Sequence, residues 1–392
     1  MSKKQSFFFI GKAPFSKSLL NRALIVKSWF PDFKIQGSSL CEDILTMKYL
    51  TENLHKKKEF DCGLSGTAFR FFTTRLSRKK GIFFIKTSPL LLKRPLDETF
   101  SLLSQLSVSL KKIKEGFILV SKGWKIQGDG IYIPGQVTSQ NASALLLNSW
   151  NLDKDLYFNF SSSSVSYSYF QMTLKFLQSL GLRVYQNKND FCVIKNQSLK
   201  VKDFPLEQDK SCLFALACFA SLKGQATFLD WKEESLQADH IFPEILKNMQ
   251  VPISLKNNQL KISQSSSLKS IDISLKDNPD LFPMLAILCA KAEGISYLRD
   301  ISHIAFKESN RLEKIYKLLS LCHINCKKEG SYFVIEGKTE WNQKISPFVF
   351  DPEEDHRIVM ATELLKSLNI SIELKNKDCV KKSFPEFYSY IL

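Results

Sequence analysis

Apolar residues fall into two rhythms along the 392-residue chain. Short runs such as GIFFIKT, GFILVSK, DLYFNF, FCVIKN, ISYLRDI and SYFVIEG have the length and the β-branched, aromatic content of strands. Longer runs follow a small polar residue able to cap a helix: SKSLLNRALIV from Ser16, GTAFR from Gly66, TSQNASA from Thr138, DKSCL from Asp209, NPDL from Asn278 and DHRI from Asp355. With Thr67, Ser139, Lys210, Asp280 and Asp355 as anchors, the gaps are 72, 71, 70 and 75 residues. A second helical series starts at Leu96, Tyr169, Ile241 and Arg311, with spacings of 73, 72 and 70. Two helix series in step, separated by strands, predict one β-α-β-α-β-β unit used repeatedly. With the helix after Ser16 counted first, the chain holds six.

That first helix carries charge its position does not favour. Lys17 and Arg22 lie in its first two turns, where the helix dipole is already positive. Cations there cost roughly 0.3–1 kcal/mol each unless an anion sits among them. The corresponding helix starts in the other units also offer backbone N–H groups, hydroxyls, Lys or Arg. Stacked units would aim these starts in a common direction, which predicts a cleft for a strongly anionic ligand.

Composition narrows the class. The 44% apolar and 24% charged content is that of a globular protein, and the length suits two domains. The net charge of +16 is spread along the chain without a basic tail or RNA-binding signature. Runs such as Lys56-Lys57-Lys58 fit solvated faces better than a nucleic-acid groove. Of the 55 basic residues only nine are arginine, and Arg22, Arg70, Arg94, Arg311 and Arg357 fall within the motifs below. Arginine grips carboxylate and phosphate with two parallel hydrogen bonds, which lysine cannot do. Nine cysteines without a CxxC pair suit reduced core thiols rather than a disulfide framework or zinc site. The apolar run in MSKKQSFFFIGK is too short for a signal peptide, and no stretch approaches a membrane span. A reduced, cytoplasmic setting is expected.

In order along the chain come SKSLLNR, SGTAFR, KRP, TSQ, KESNR, DHR and KKSFPEF. From about Lys17 to Phe387 this set resembles the 5-enolpyruvylshikimate-3-phosphate synthase (3-phosphoshikimate 1-carboxyvinyltransferase) family. The resemblance implies an α/β fold of two domains, each of three βαβαββ units, with helix N-termini facing an interdomain cleft. The expected division is an inserted domain over 13–237 and a discontinuous one made of 1–12 and 238–392, so the first strand belongs with the C-terminal half. The resemblance also implies the reaction. The enolpyruvyl group of phosphoenolpyruvate passes to the 5-hydroxyl of shikimate 3-phosphate, releasing phosphate, in the shikimate pathway of chorismate and aromatic amino-acid biosynthesis. Addition and elimination through a tetrahedral adduct need no metal or organic cofactor. The expected partners are the two small anionic substrates, with no nucleic acid and no membrane, and the expected state is a monomer.

Site roles follow from the same resemblance. Lys17, Ser18 and Arg22 would meet shikimate 3-phosphate, Arg22 on its carboxylate, while Lys17 would reach both substrates and assist proton transfer. Thr138, Ser139 and Ser166 would hold its phosphate, with Gln140 between the two ligands and Tyr169, His303 and Lys307 on the shikimate side. Gly66, Thr67, Arg94, Gln140, Arg311, His356, Arg357 and Lys382 would hold phosphoenolpyruvate. Asp280 would accept the 5-hydroxyl proton, and Glu308 would protonate the methylene carbon. Taken alone, DNPD is also a plain helix cap with proline in the first turn, and each charged motif also fits a solvated salt-bridge helix.

Three positions depart from the family's usual residues: Leu64 where Asn is common, Phe71 for Pro and Asn310 for Asp. These bear on substrate affinity more than reaction type. Retention of Gly66 implies that glyphosate competes with phosphoenolpyruvate, and Phe71 behind that helix could weaken the competition. Two rival readings share the fold. The sibling that transfers enolpyruvate to UDP-N-acetylglucosamine uses Lys-Asn and a loop cysteine, whereas this chain has Lys17-Ser18 and no cysteine between Cys62 and Cys192. A non-catalytic anion-binding relative is the other.

Overall fold

The computed structural model describes residues 6–126, 128–341 and 345–391. Parts of both expected domains, residues 1–5, 342–344 and 392 of one and Gln127 of the other, lie outside the described residues. The chain divides into two units, Phe15–Glu207 and Met1–Pro14 with Gln208–Leu392.

Each unit is built round three mutually packed helices. In Phe15–Glu207 these are Lys17–Trp29, Gly66–Leu76 and Gln140–Leu147. In the other unit they are Lys210–Lys223, Phe282–Lys291 and His356–Lys366. Their sequences explain the arrangement. FPMLAILCAK is apolar on every face, and its residues from Phe282 to Ala290 are all buried; a helix without a polar face must be covered on all sides. The second helix of the repeat that holds Phe282–Lys291 is different. Arg311–Leu321 buries Leu312, Ile315, Leu318 and Leu319 at helical spacing and leaves the opposite face to solvent, so it lies outside.

The sheets repeat one pattern. Glu59–Asp61 pairs in parallel with Gly81–Lys86, which pairs antiparallel with Gly116–Ser121, itself antiparallel to Ser109–Ile113. Ile131–Ile133, Leu156–Phe160, Asp190–Val193 and Val184–Asn187 follow the same order. In the other unit so do Phe7–Gly11, Gly224–Phe228, Gln259–Ser263 and Ile253–Lys256, and Asp272–Ser274, Ala292–Arg299, Tyr332–Gly337 and Cys326–Glu329. These four sheets realise the β-α-β-α-β-β repeat. The third sheet of each unit is a parallel pair among the described residues: Lys34–Gln36 with Asp203–Pro205, and Phe348–Phe350 with Ile372–Leu374.

The division differs from the expected one at both crossings, by two residues at the first, which falls at Pro14–Phe15, and by about thirty at the second. The second crossing falls at Glu207–Gln208, not near Gln237, so residues 208–237 pack with the terminal unit. Strand Phe7–Gly11 begins a repeat whose helix, Lys210–Lys223, and second strand, Gly224–Phe228, arrive some two hundred residues later. The two chain passages are tied side by side: Ala13 N donates to Gln208 Oε1 (2.8 Å) and Asp209 N to Pro14 O (2.8 Å). No helix among the described residues is long and apolar enough to cross a membrane, and the nine cysteines are unbridged.

Candidate active site

In the unit Phe15–Glu207 the expected residues gather at the starts of the core helices. Ser16 Oγ accepts Leu19 N (3.4 Å) and Ser65 Oγ accepts Ala68 N (3.3 Å), so two of these helices begin at hydroxyl caps. Behind Ser65, the two arginines Arg70 and Arg94 converge on Gly66. A Cβ there would lie 2.9 Å from Arg94 Nη1 and 3.0 Å from Arg70 Nη1, so the glycine lets both guanidinium groups come close without shifting. Arg70 Nη1 donates to Gln140 Oε1 (3.0 Å), and Gln140 Nε2 donates to Thr67 Oγ1 (3.0 Å). Thr138 Oγ1 accepts Gln140 N (3.2 Å), and Ser139 is buried at the N-cap.

Arg22 is the unusual member of this cluster. It is 3% exposed. Its Nε donates to Thr173 Oγ1 (2.7 Å), Nη1 to Ser18 O (2.7 Å) and Nη2 to Tyr169 O (3.1 Å), while its guanidinium lies 5.2 Å from the centre of the Phe71 ring. Every acceptor is neutral, and no carboxylate pairs with it among the described residues. Burial pushes its pKa down to about 9, with the Tyr169 phenol acting weakly the other way. Ser166 heads the helix Tyr167–Ser179 with a left-handed φ of 56°, and its buried Oγ has no hydrogen-bond partner among the described residues. Lys17 is held at the helix start by Asp43 (2.8 Å).

In the other unit the expected residues centre on Arg311, which is 1% exposed. Its Nε donates to Asp355 Oδ2 (2.8 Å), Nη1 to Asp280 Oδ1 (2.8 Å) and Nη2 to Glu308 Oε2 (2.7 Å). Arg357 Nη2 donates to Ser211 Oγ (2.8 Å) and Asp280 Oδ2 (3.3 Å), and Lys382 Nζ reaches Glu308 Oε1 (3.5 Å). Burial opposes ionisation of Asp280, but Arg357, Arg311 and Lys307 together outweigh it and hold the carboxyl well below the usual range. Burial likewise works against the charge of Arg311, and Asp355, Glu308 and Asp280 more than offset it. His303 is buried in the turn Ser302–Phe306, where burial and then Lys307 push its pKa down to about 3, so the ring is neutral.

Local structure explains two of the departures. Lys307 to Asn310 precede the helix Arg311–Leu321, so Lys307 and Arg311 do not share a helix face. Asn310 Oδ1 accepts Glu313 N (3.3 Å), so it caps that helix as an aspartate would. Phe71 supplies the ring beside Arg22. Nothing in the structure explains Leu64.

Sequence reasoning passed over two carboxylates and read two others only as helix caps. Asp43 lies twenty-six residues beyond Lys17 with no motif to signal the pairing. Asp355 was legible as a cap but not as a ligand of Arg311; its Oδ1 accepts Arg357 N (3.0 Å) and its Oδ2 accepts Ser309 Oγ (3.0 Å). Asp209 caps the helix Lys210–Lys223. Asp239, 4% exposed, accepts Asn278 Nδ2 (3.3 Å) on the turn that carries Asp280.

The family model of EPSP synthase (3-phosphoshikimate 1-carboxyvinyltransferase) matches residues 14–391. A protein named 3-phosphoshikimate 1-carboxyvinyltransferase from Methanocaldococcus jannaschii is 27% identical, with 96% of this chain and 94% of that protein covered. One of the same name from Clostridium beijerinckii is 26% identical over 86% of this chain and 77% of its own length. Among solved structures, EPSP synthase from Acinetobacter baumannii superposes with a TM-score of 0.75 at 20% identity, covering 98% of this chain and 95% of that one. The enolpyruvyl transferase NikO from Streptomyces tendae gives 0.74 at 12% identity, covering 100% and 95%. At these identities the structures speak for the fold.

Proposed function

The chain belongs to the EPSP synthase (3-phosphoshikimate 1-carboxyvinyltransferase) family, and from that membership we propose that it joins phosphoenolpyruvate to the 5-hydroxyl of shikimate 3-phosphate and releases phosphate. The observation that carries the reading is Arg22, a buried guanidinium at a helix start with neutral acceptors only. Burying a cation without a counter-charge is costly, and a ligand carboxylate supplies what is missing. The nearby Ser166 hydroxyl, buried without a partner among the described residues, gains one from the ligand's phosphate.

The chemistry needs a proton on the methylene carbon of phosphoenolpyruvate and removal of one from the 5-hydroxyl. As the π electrons take the first proton from Glu308, the hydroxyl oxygen bonds to the neighbouring carbon and its proton passes to Asp280. The tetrahedral adduct then expels phosphate, which leaves with the proton held by Asp280, and returns a methyl proton to Glu308. Arg311, Arg357, Lys382 and His356 in one unit, and Gly66, Thr67, Arg94 and Gln140 in the other, are the groups assigned to phosphoenolpyruvate. Ser18, Arg22, Thr138, Ser139, Ser166 and Tyr169, together with Lys307 and the neutral His303, are assigned to shikimate 3-phosphate, and Lys17 to both. Preorganised cations stabilise the charge that develops on the leaving phosphate.

The test is release of inorganic phosphate on mixing pure protein with the two substrates. Steady release that requires both is expected. Binding of both ligands without release would make the chain a non-catalytic anion-binding relative.

A further inference from the structure

Glu308 and Asp280, the two carboxyl groups assigned to proton transfer, are both held by cations assigned to phosphoenolpyruvate. Arg311 spends two of its nitrogens on them, at 2.7 Å to Glu308 and 2.8 Å to Asp280, and Lys382 and Arg357 contact the same two carboxylates at 3.5 and 3.3 Å. The protein's own anions thus stand where a phosphate and a carboxylate are to bind. The third nitrogen of Arg311 is tied to Asp355, which is fully buried between Ser309 and the helix start at Arg357, so Arg311 stays in place while its outer contacts are exchanged.

This pairing poses a chemical difficulty. A general acid must carry a proton, yet a carboxyl group accepting hydrogen bonds from an arginine and a lysine is favoured in its ionised form. Glu308 held in this way by Arg311 and Lys382 has no proton to donate while it is ionised. Resting on the functional reading above, we propose that phosphoenolpyruvate loads its own acid: its anionic groups take Arg311 and Lys382 from Glu308, and the released carboxylate, now beside the ligand's negative charge, takes up a proton from solvent. That proton is the one delivered to the methylene carbon, and the carboxylate so formed recovers a proton from the methyl group as phosphate leaves. The same exchange strips Asp280 of its guanidinium partners and makes it a stronger base when the 5-hydroxyl must be deprotonated. The charged groups round Glu308 enter this balance: Arg311 and Lys382 in contact, Asp280 sharing Arg311, Lys307 adjacent in the chain, and Asp355 and Arg357 one contact further.

The proton count distinguishes this from an acid that is already protonated in the free protein. Above the second phosphate pKa the overall reaction exchanges no net proton, because the three negative charges of phosphoenolpyruvate are conserved in the new carboxylate and phosphate dianion. Single-turnover mixing of phosphoenolpyruvate with protein saturated in shikimate 3-phosphate, followed with a pH indicator, is expected to show transient uptake that precedes phosphate release and is returned as products leave. Glu308→Gln is expected to lose both the transient and turnover. Without any substrate reaction, sulfate, a dianion with no proton to exchange near neutrality, is expected to bind Glu308→Gln about 5-fold more tightly than wild type, since one competing charge is gone; fivefold is about 1 kcal/mol. Wild-type phosphate release without the transient, or the same transient in Glu308→Gln, overturns the inference and leaves the functional reading standing. Absence of phosphate release from wild type overturns the functional reading itself.

Discussion

The two units use the same architecture, three buried helices starting at one cluster, and charge it in opposite ways. In Gln208–Leu392 the central guanidinium, Arg311, is surrounded by three carboxylates, and its charge is more firmly held than in water. In Phe15–Glu207 the buried Arg22 has a hydroxyl, two carbonyls and an aromatic ring, and its charge is less firmly held. One cluster brings its own anions, which the proposed reaction would exchange; the other leaves a deficit that the proposed ligand would fill. A fold that repeats its backbone therefore need not repeat its electrostatics, and the proposed division between acid–base chemistry and substrate holding rests on where the carboxylates are.

The same substitution made in each unit should give opposite outcomes. Arg311→Met leaves Asp355 buried and unpaired, together with two partly buried carboxylates, and is expected to cost about 3–5 kcal/mol of stability. Arg22→Met removes a buried charge that has no carboxylate to strand, so its stability is expected to stay within about 1 kcal/mol of wild type, while shikimate 3-phosphate binding falls at least about 100-fold. Thermal unfolding and calorimetric titration of the two variants measure both quantities. Equal destabilisation by the two would remove the contrast.

Much of this contrast was legible before any coordinates, but only its positive half. KESNR, DHR, SGTAFR and SKSLLNR announce cations at helix starts, because arginine is scarce in the chain and each lies at a short, recognisable distance from a cap. The repeat was legible for the same reason, since helix periodicity is local. Counter-charges are not. Asp43 and Asp239 reach the site from outside the motifs, and only the folded chain brings them there. The crossing at Glu207–Gln208 was hidden similarly: Lys210–Lys223 is apolar on all faces and would suit either unit, and what assigns it is the pairing of Gly224–Phe228 with a strand at the other end of the chain.

Asp239 gives the Arg311 cluster a pH dependence between about pH 4 and 7. Burial first, then the charge of Asp280, raises its pKa to about 7, against the opposing pull of Arg357. A carboxyl whose pKa is higher folded than unfolded binds more protons in the folded state between the two values. Stability from this group is therefore greatest below about pH 4, falls as pH rises towards 7, and is lowest above it, by at most about 1.4 kcal/mol per pH unit. Asp239→Asn is expected to flatten that slope in denaturation measured from pH 4.5 to 7.5, becoming relatively more stable than wild type as pH rises. An unchanged slope would mean that Asp239 is ionised throughout.

Phe71 offers the finest adjustment, because it acts on Arg22 without touching its hydrogen bonds. Its ring is fully buried, with the guanidinium 5.2 Å from the centroid, and its backbone carbonyl accepts Asn148 Nδ2 (3.3 Å). An aromatic face partly offsets the lost hydration of a cation without neutralising it, so the guanidinium remains free to meet a carboxylate. Phe71→Leu removes that contribution and opens a small cavity, whereas Phe71→Tyr keeps the ring. Loss of the ring is expected to weaken shikimate 3-phosphate binding about 3-fold, corresponding to roughly 0.5–1 kcal/mol, with phosphoenolpyruvate KM unchanged. Phe71→Tyr is expected to restore the affinity. Equal weakening by both variants would assign the effect to packing rather than to the ring's charge distribution, and Phe71 would then be a spacer behind Arg22 and no more.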